Sequence, residues 1–127
     1  MIVDDEKTLS EVKAAFEAYE RALVGNDVAA LDAFFLDSPL AVRYGVGENL
    51  YGVEEIRAFR ARRSPMGLER TLQRTQITAF GRDVAIAATL FRRDGAPGKI
   101  GRQMQTWVRF PVGWRIVAAH VSLIDDA

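Results

Sequence analysis

Cysteine is missing from this 127-residue chain, and histidine occurs once. The first absence removes disulfides and thiolate metal sites. The two together leave no HExxH helix and no paired-histidine spacing, so no metal is expected. The phosphate-binding strings GxGxxG and Walker A are missing too, as is the GxSxG nucleophile elbow. Lysine is scarce, at three residues against 14 arginines. With no lysine-rich tail, no RNA-binding aromatic motif and no basic recognition helix, nucleic acid is not an expected partner. No apolar run approaches the ~20 residues that cross a bilayer. The opening MIVDDEKTLSEV has neither the basic nor the apolar region of a secretory signal. The expectation is a cytoplasmic protein without a membrane partner.

What remains is an ordinary globular composition with an uneven charge distribution. Apolar residues make up 49% of the chain, enough for one packed domain over residues 1–127. Residues 1–55 hold 12 acids and 4 bases, whereas residues 56–127 hold 5 acids and 13 bases. The basic half is almost all arginine, whose planar fork matches carboxylates and phosphates.

The periodicity changes once along the chain. Leu9, Val12, Phe16, Tyr19 and Leu23 recur at helical spacing, which predicts a helix over residues 8–24 that Gly25 stops. Asn26 or Asp27 caps a second helix with Val28, Leu31 and Phe35 inward, and Asp37-Ser38-Pro39 ends it. Short strands are predicted over residues 40–45 and 50–51, then a third helix over 53–63. Ile56, Phe59, Arg60 and Arg63 share one face of that helix. After Ser64-Pro65-Met66-Gly67 the pattern is β throughout: residues 70–80, residues 84–92 and a long hairpin over 100–124 that turns at Phe110-Pro111-Val112-Gly113. Helices first and a strand meander second is an α+β order.

The hairpin carries both tryptophans and the one histidine. Setting Phe110 opposite Trp114 places Thr106 against Ala118, Met104 against His120 and Arg102 against Ser122. One face then holds Met104, Thr106, Val108, Trp114, Ile116, Ala118, His120 and Ser122. The other holds Gln103, Gln105, Trp107, Arg109, Val117, Ala119 and Val121. A slip of one residue exchanges the faces. Both faces are apolar enough to need cover, one by the helices and one by a second copy, so a homodimer is expected.

Isolated polar residues on apolar faces are the candidates for chemistry. Tyr19 lies in the apolar stripe of the first helix, either as a core tyrosine or as a phenol projecting into a pocket. Arg43 interrupts a short apolar strand, where a charge faces solvent, pairs with an acid or binds an anion. Arg60 and Arg63 either snorkel to the rim or aim into a cavity between helix and sheet. His120 is either structural or an acid–base group. Gln103, Gln105 and Ser122 are polar strand residues able to complete such a site.

Three strings carry a resemblance: VRYGVGENLYGVEEIRAFRARR, RTQITAFGRD and IGRQMQTWVRFPVGWRIVAAHVSL. They resemble the AtzH-like (HpxZ-like) branch of the NTF2-like superfamily. The resemblance implies an NTF2-like cone, an α+β fold with N-terminal helices packed on a curved antiparallel sheet. It also implies cofactor-independent decarboxylation of 1,3-dicarboxyurea to allophanate, with no metal or organic cofactor. A first-helix tyrosine and a first-strand arginine are the catalytic pair it implies, Tyr19 and Arg43. Arg60, Arg63, Gln105, His120 and Ser122 are the substrate-binding candidates for a small dianion, placed by expected pocket geometry. The branch is linked to oxalurate and ureide breakdown alongside amidases. A non-catalytic anion-binding or accessory protein in such a route is the alternative reading.

Overall fold

A computed structural model describes residues 1–126 of the chain. The first helix, α1 (Glu6–Val24), starts two residues earlier than the apolar stripe predicts. Asp5 caps it: its carboxylate accepts from the Thr8 amide at 3.2 Å and the Thr8 hydroxyl at 2.8 Å. Val12, Phe16, Tyr19 and Leu23 of the stripe are all buried. Asp27 caps the short α2 (Val28–Phe34), whose Leu31 is fully buried while Val28 is half-buried. Phe35 is already extended and bridges to Ile116, which fastens the end of α2 to the sheet.

Two short strands follow, β1 (Val42–Tyr44) and β2 (Asn49–Tyr51), then α3 (Val53–Arg62). Four long strands complete the chain: β3 (Thr71–Phe80), β4 (Val84–Arg92), β5 (Lys99–Phe110) and β6 (Gly113–Asp125). They form one curved sheet in the order β2-β1-β6-β5-β4-β3, antiparallel except where β1 runs parallel to β6. The sheet is unclosed. The expected α+β architecture of helices on a curved sheet is the one found.

The hairpin differs from its sequence reading at its tip. Phe110 pairs with Gly113, not with Trp114, across the two-residue turn Pro111-Val112. Gly113 takes a φ of 116°, open to glycine alone at no steric cost. A bulge between Thr106 and Trp107 then restores the expected register, so Thr106 meets Ala118 and Met104 meets His120. The bulge exchanges faces on β6. Trp114 and Ile116 turn inward beside Trp107, whereas the regular alternation predicts them on the opposite face with His120.

The concave face carries the core. Trp107 is fully buried and meets Phe34 and Tyr19 edge-on, at ring-centroid distances of 5.9 and 6.4 Å. Ala79, Ala85 and Ala87 are small enough to let α1 lie close against the sheet. The convex face bears Val84, Met104, His120 and Tyr44, and the three helices all pack on the other side.

Candidate active site

One end of the cone keeps its core open. A cavity of about 190 Å³ lies there, lined by Tyr19 and Leu23 of α1, Arg43 of β1, Phe59 of α3, Arg63 just past it, and Gln103 and Val121 of the sheet. Val46, Glu48, Leu68, Arg70 and Arg93 complete the wall. This is small beside the ~300 Å³ lower bound of drug-sized pockets and suits a compact ligand.

Strand pairing explains why these side chains converge. Arg43 pairs with Ala119 of β6, and both occupy the concave side. Tyr19 is 5% exposed, its ring is held edge-on by Phe34 and Trp107, and it forms part of the cavity lining. Arg43 donates to Glu48 at 2.8 Å and lies over the Phe59 ring at 5.3 Å. Glycine at position 45 leaves room for the Glu48 carboxylate to reach Arg43, because a Cβ there would fall on that carboxylate.

Four arginines face this volume, and among the described residues only two have a carboxylate. Arg70 is held by Glu20 through two hydrogen bonds of 2.8 and 2.6 Å. Arg63 has only a 3.4 Å contact to Asn26. Nε of Arg63, Nε of Arg93 and Nε2 of Gln103 are buried with no partner among the described residues. Burial pushes the Arg63 guanidinium below its usual basicity, and nearby Arg60 pushes it further. Burial does the same to Arg93, reinforced by Arg70. The cavity therefore holds excess positive charge and unused donors, the complement of a compact anion rich in acceptors.

The sequence candidates separate on this geometry. Tyr19, Arg43 and Arg63 come together in the lining. Arg60 does not line it: its guanidinium is buried against Asp32 at 3.3 Å and over Phe35 at 5.3 Å. Gln105 is also buried, but its Oε1 accepts from the Trp107 indole at 3.0 Å. His120 and Ser122 lie on the convex face, away from the cavity, because they alternate with the inward Ala119 and Val121. His120 stands edge-on to Tyr44, and Ser122 accepts from Arg102. Glu48, Arg70 and Arg93 were missed. Strand parity marks two of them, since Arg93 and Arg70 each lie two residues from an inward side chain, Phe91 and Leu72. Among the described residues no group of His, Cys, Asp or Glu is arranged to hold a metal ion. No helix among them is long and apolar enough to cross a membrane.

Comparison with known proteins gives a consistent picture. The AtzH-like family model matches residues 1–127. A crystal structure of a protein of unknown function from the DUF3225 family of Pectobacterium atrosepticum is 59% identical. That match covers 97% of this chain and 95% of the other, with a TM-score of 0.94. A cystatin-like fold protein from Burkholderia xenovorans is 50% identical over 100% of this chain and 99% of its own, with a TM-score of 0.95. An NTF2-like protein of unknown function from Pseudomonas putida shares the fold at 20% identity, covering 91% and 86% of the two chains with a TM-score of 0.76. No curated protein matches.

Proposed function

The chain belongs to the AtzH-like family of NTF2-like proteins, and from that membership we propose that it is a decarboxylase of a small carboxylated urea, of the 1,3-dicarboxyurea type, acting without a cofactor. The observation that carries this reading is the meeting of the buried Tyr19 phenol and Arg43 in one small cavity with surplus arginine charge. The reaction breaks the bond between nitrogen and a terminal carboxylate carbon. Neutral CO2 departs, the electron pair stays on nitrogen, and one proton must reach that nitrogen to leave allophanate. Tyr19 delivers or relays the proton. Arg43 orients the carboxylate that leaves. The guanidinium groups around the phenol offset the charge left when its proton moves. Burial favours a transition state in which the carboxylate charge is dispersed.

Turnover of 1,3-dicarboxyurea by the purified protein, followed as CO2 release, tests the reading. Tyr19→Phe is expected to lower kcat by about 10²-fold or more, in the range of general acid catalysis. Arg43→Ala is expected to lower kcat/KM comparably. Unchanged rates in variants whose circular dichroism is native would overturn the assignment of these roles. A wild-type protein that binds small dianions but releases no CO2 would instead be the accessory, anion-holding protein. The product keeps an amide bond, so a hydrolase of the amidase class is the enzyme proposed to act next. A second copy of the chain on the convex face is the partner proposed for the fold itself.

A further inference from the structure

The cavity has two cationic ends of different character. At one end Arg43 is already neutralised by Glu48 at 2.8 Å. At the other, Arg93 follows the last residue of β4 and Gln103 lies on β5, while Arg63, from the end of α3, feels the charges of both Arg43 and Arg93. No carboxylate is paired with either Arg63 or Arg93 among the described residues. Arg43 lies on β1, and Arg93 continues from β4, three strands away in the sheet order. At ~4.8 Å per strand that is about 14 Å between backbones, which two inward arginine side chains narrow to the length of a small dianion.

The orientation of Gln103 is fixed from behind. Its Oε1 accepts from Arg70 at 2.9 Å, and Arg70 is itself clamped by Glu20. The amide oxygen is therefore committed to the wall. Nε2, the donor end, is left buried without a partner among the described residues, in a residue only 3% exposed that forms part of the cavity wall. An unpaired buried donor is costly, and Nε of Arg63 and Nε of Arg93, two other residues of the same lining, are likewise buried without a partner among the described residues. Phe91 positions the group. Arg93 and Arg70 lie over its ring at 4.9 and 4.6 Å, and its ring occupies the space that a side chain at Gly101 would fill.

We propose that Arg93, Gln103 and Arg63 form a second anion subsite, which holds the carboxylate remote from the bond that breaks and makes the cavity selective for dianions over monoanions. This rests on the decarboxylase reading only for which carboxylate is remote; the selectivity for dianions stands on the donors alone. The division of labour follows from the charges. The end without a counter-ion anchors, and the end shared with Glu48 holds its carboxylate less firmly, as the group that must depart.

Isothermal titration of the full chain with glutarate and with butyrate tests it, since the two differ by one carboxylate. Wild type is expected to bind glutarate at least ten-fold more tightly than butyrate. Arg93→Gln, and separately Gln103→Met, which keeps the shape but removes the donor, are expected to reduce that ratio below about two-fold. A wild-type ratio near one overturns the subsite, as does a ratio unchanged in both folded variants. Should Arg93→Gln fail to fold, Gln103→Met decides alone. The readout separates the two proposals. Dianion selectivity without CO2 release from dicarboxyurea supports the subsite while removing the decarboxylase. Turnover with an unaltered KM in Arg93→Gln and Gln103→Met does the reverse.

Discussion

Glu48 is the residue whose effect on the site runs against first expectation. Its carboxylate pairs with the guanidinium proposed to receive a substrate carboxylate, which makes it an internal competitor for that group. The pair is mostly buried, with side-chain exposures of 12% and 21%, so the cost of taking both charges out of water offsets much of their attraction and leaves a net of about 1 kcal/mol. Glu48→Gln is therefore expected to tighten glutarate binding by up to about five-fold, measured by the same titration. Gly45→Ala is expected to act in the same direction by displacing the Glu48 side chain, with a melting temperature close to wild type because only a flexible carboxylate has to move. Weaker binding in both variants would mean that Glu48 orients Arg43 rather than competing for it. Arg43 was legible in the sequence because a charge inside LAVRYG is out of place. Glu48 was not, because its role depends on how the four-residue turn between β1 and β2 folds back, and no local pattern records that. Arg60 misled for the opposite reason: the helical wheel gives its direction correctly, but Asp32 of α2, 28 residues away, intercepts it.

Element by element, helices and strands were legible because each shows an unbroken period. The α1 stripe is buried nearly as written, and β4 alternates inward and outward along its whole length. The hairpin broke the rule at one place. A single extra residue on β6 lets two tryptophans share the concave face, and alternation alone cannot register an insertion. The same sheet ties the core to the anion subsite through Gly101. It faces Phe91 across the β4–β5 pair, and a methyl group there would overlap the ring. Gly101→Ala is expected to cost ~1–3 kcal/mol as overpacking, which lowers Tm by roughly 4–12 °C for a chain of this size. Because Arg70 and Arg93 stack on that ring, the variant should also lose part of its preference for glutarate over butyrate. Calorimetry and titration on one preparation check both effects. Lost stability with intact selectivity would show that Phe91 packs the sheet without positioning the arginines.

For the molecule as a whole, the unresolved balance is between its two sheet faces. The helices saturate the concave one. On the convex one Val84 is 38% exposed and Met104 55% exposed, with Ile86, Leu90 and Val108 half-buried between them. Tyr44, Tyr51, His120 and Arg102 rim this patch. Apolar centre with aromatic and arginine rim is the composition of a protein interface, and a sheet face that packs on its own copy about a two-fold axis presents the same residues from both sides. From the sequence, that partner is expected because of an apolar second face; such a face is present, but Trp114 and Ile116, assigned to it there, are turned inward by the bulge. Light scattering on the size-exclusion peak is expected to give about 28 kDa, twice the 14.1 kDa chain. Met104→Glu brings a carboxylate into an apolar patch on both copies, so it should shift the peak to the monomer mass while leaving glutarate affinity within about two-fold. The affinity arm follows from the geometry, since Met104 lies on the convex face, opposite the side that lines the cavity. A wild-type species of 14.1 kDa would remove the dimer. A monomeric Met104→Glu that no longer binds glutarate would show that the second copy supports the site through the sheet.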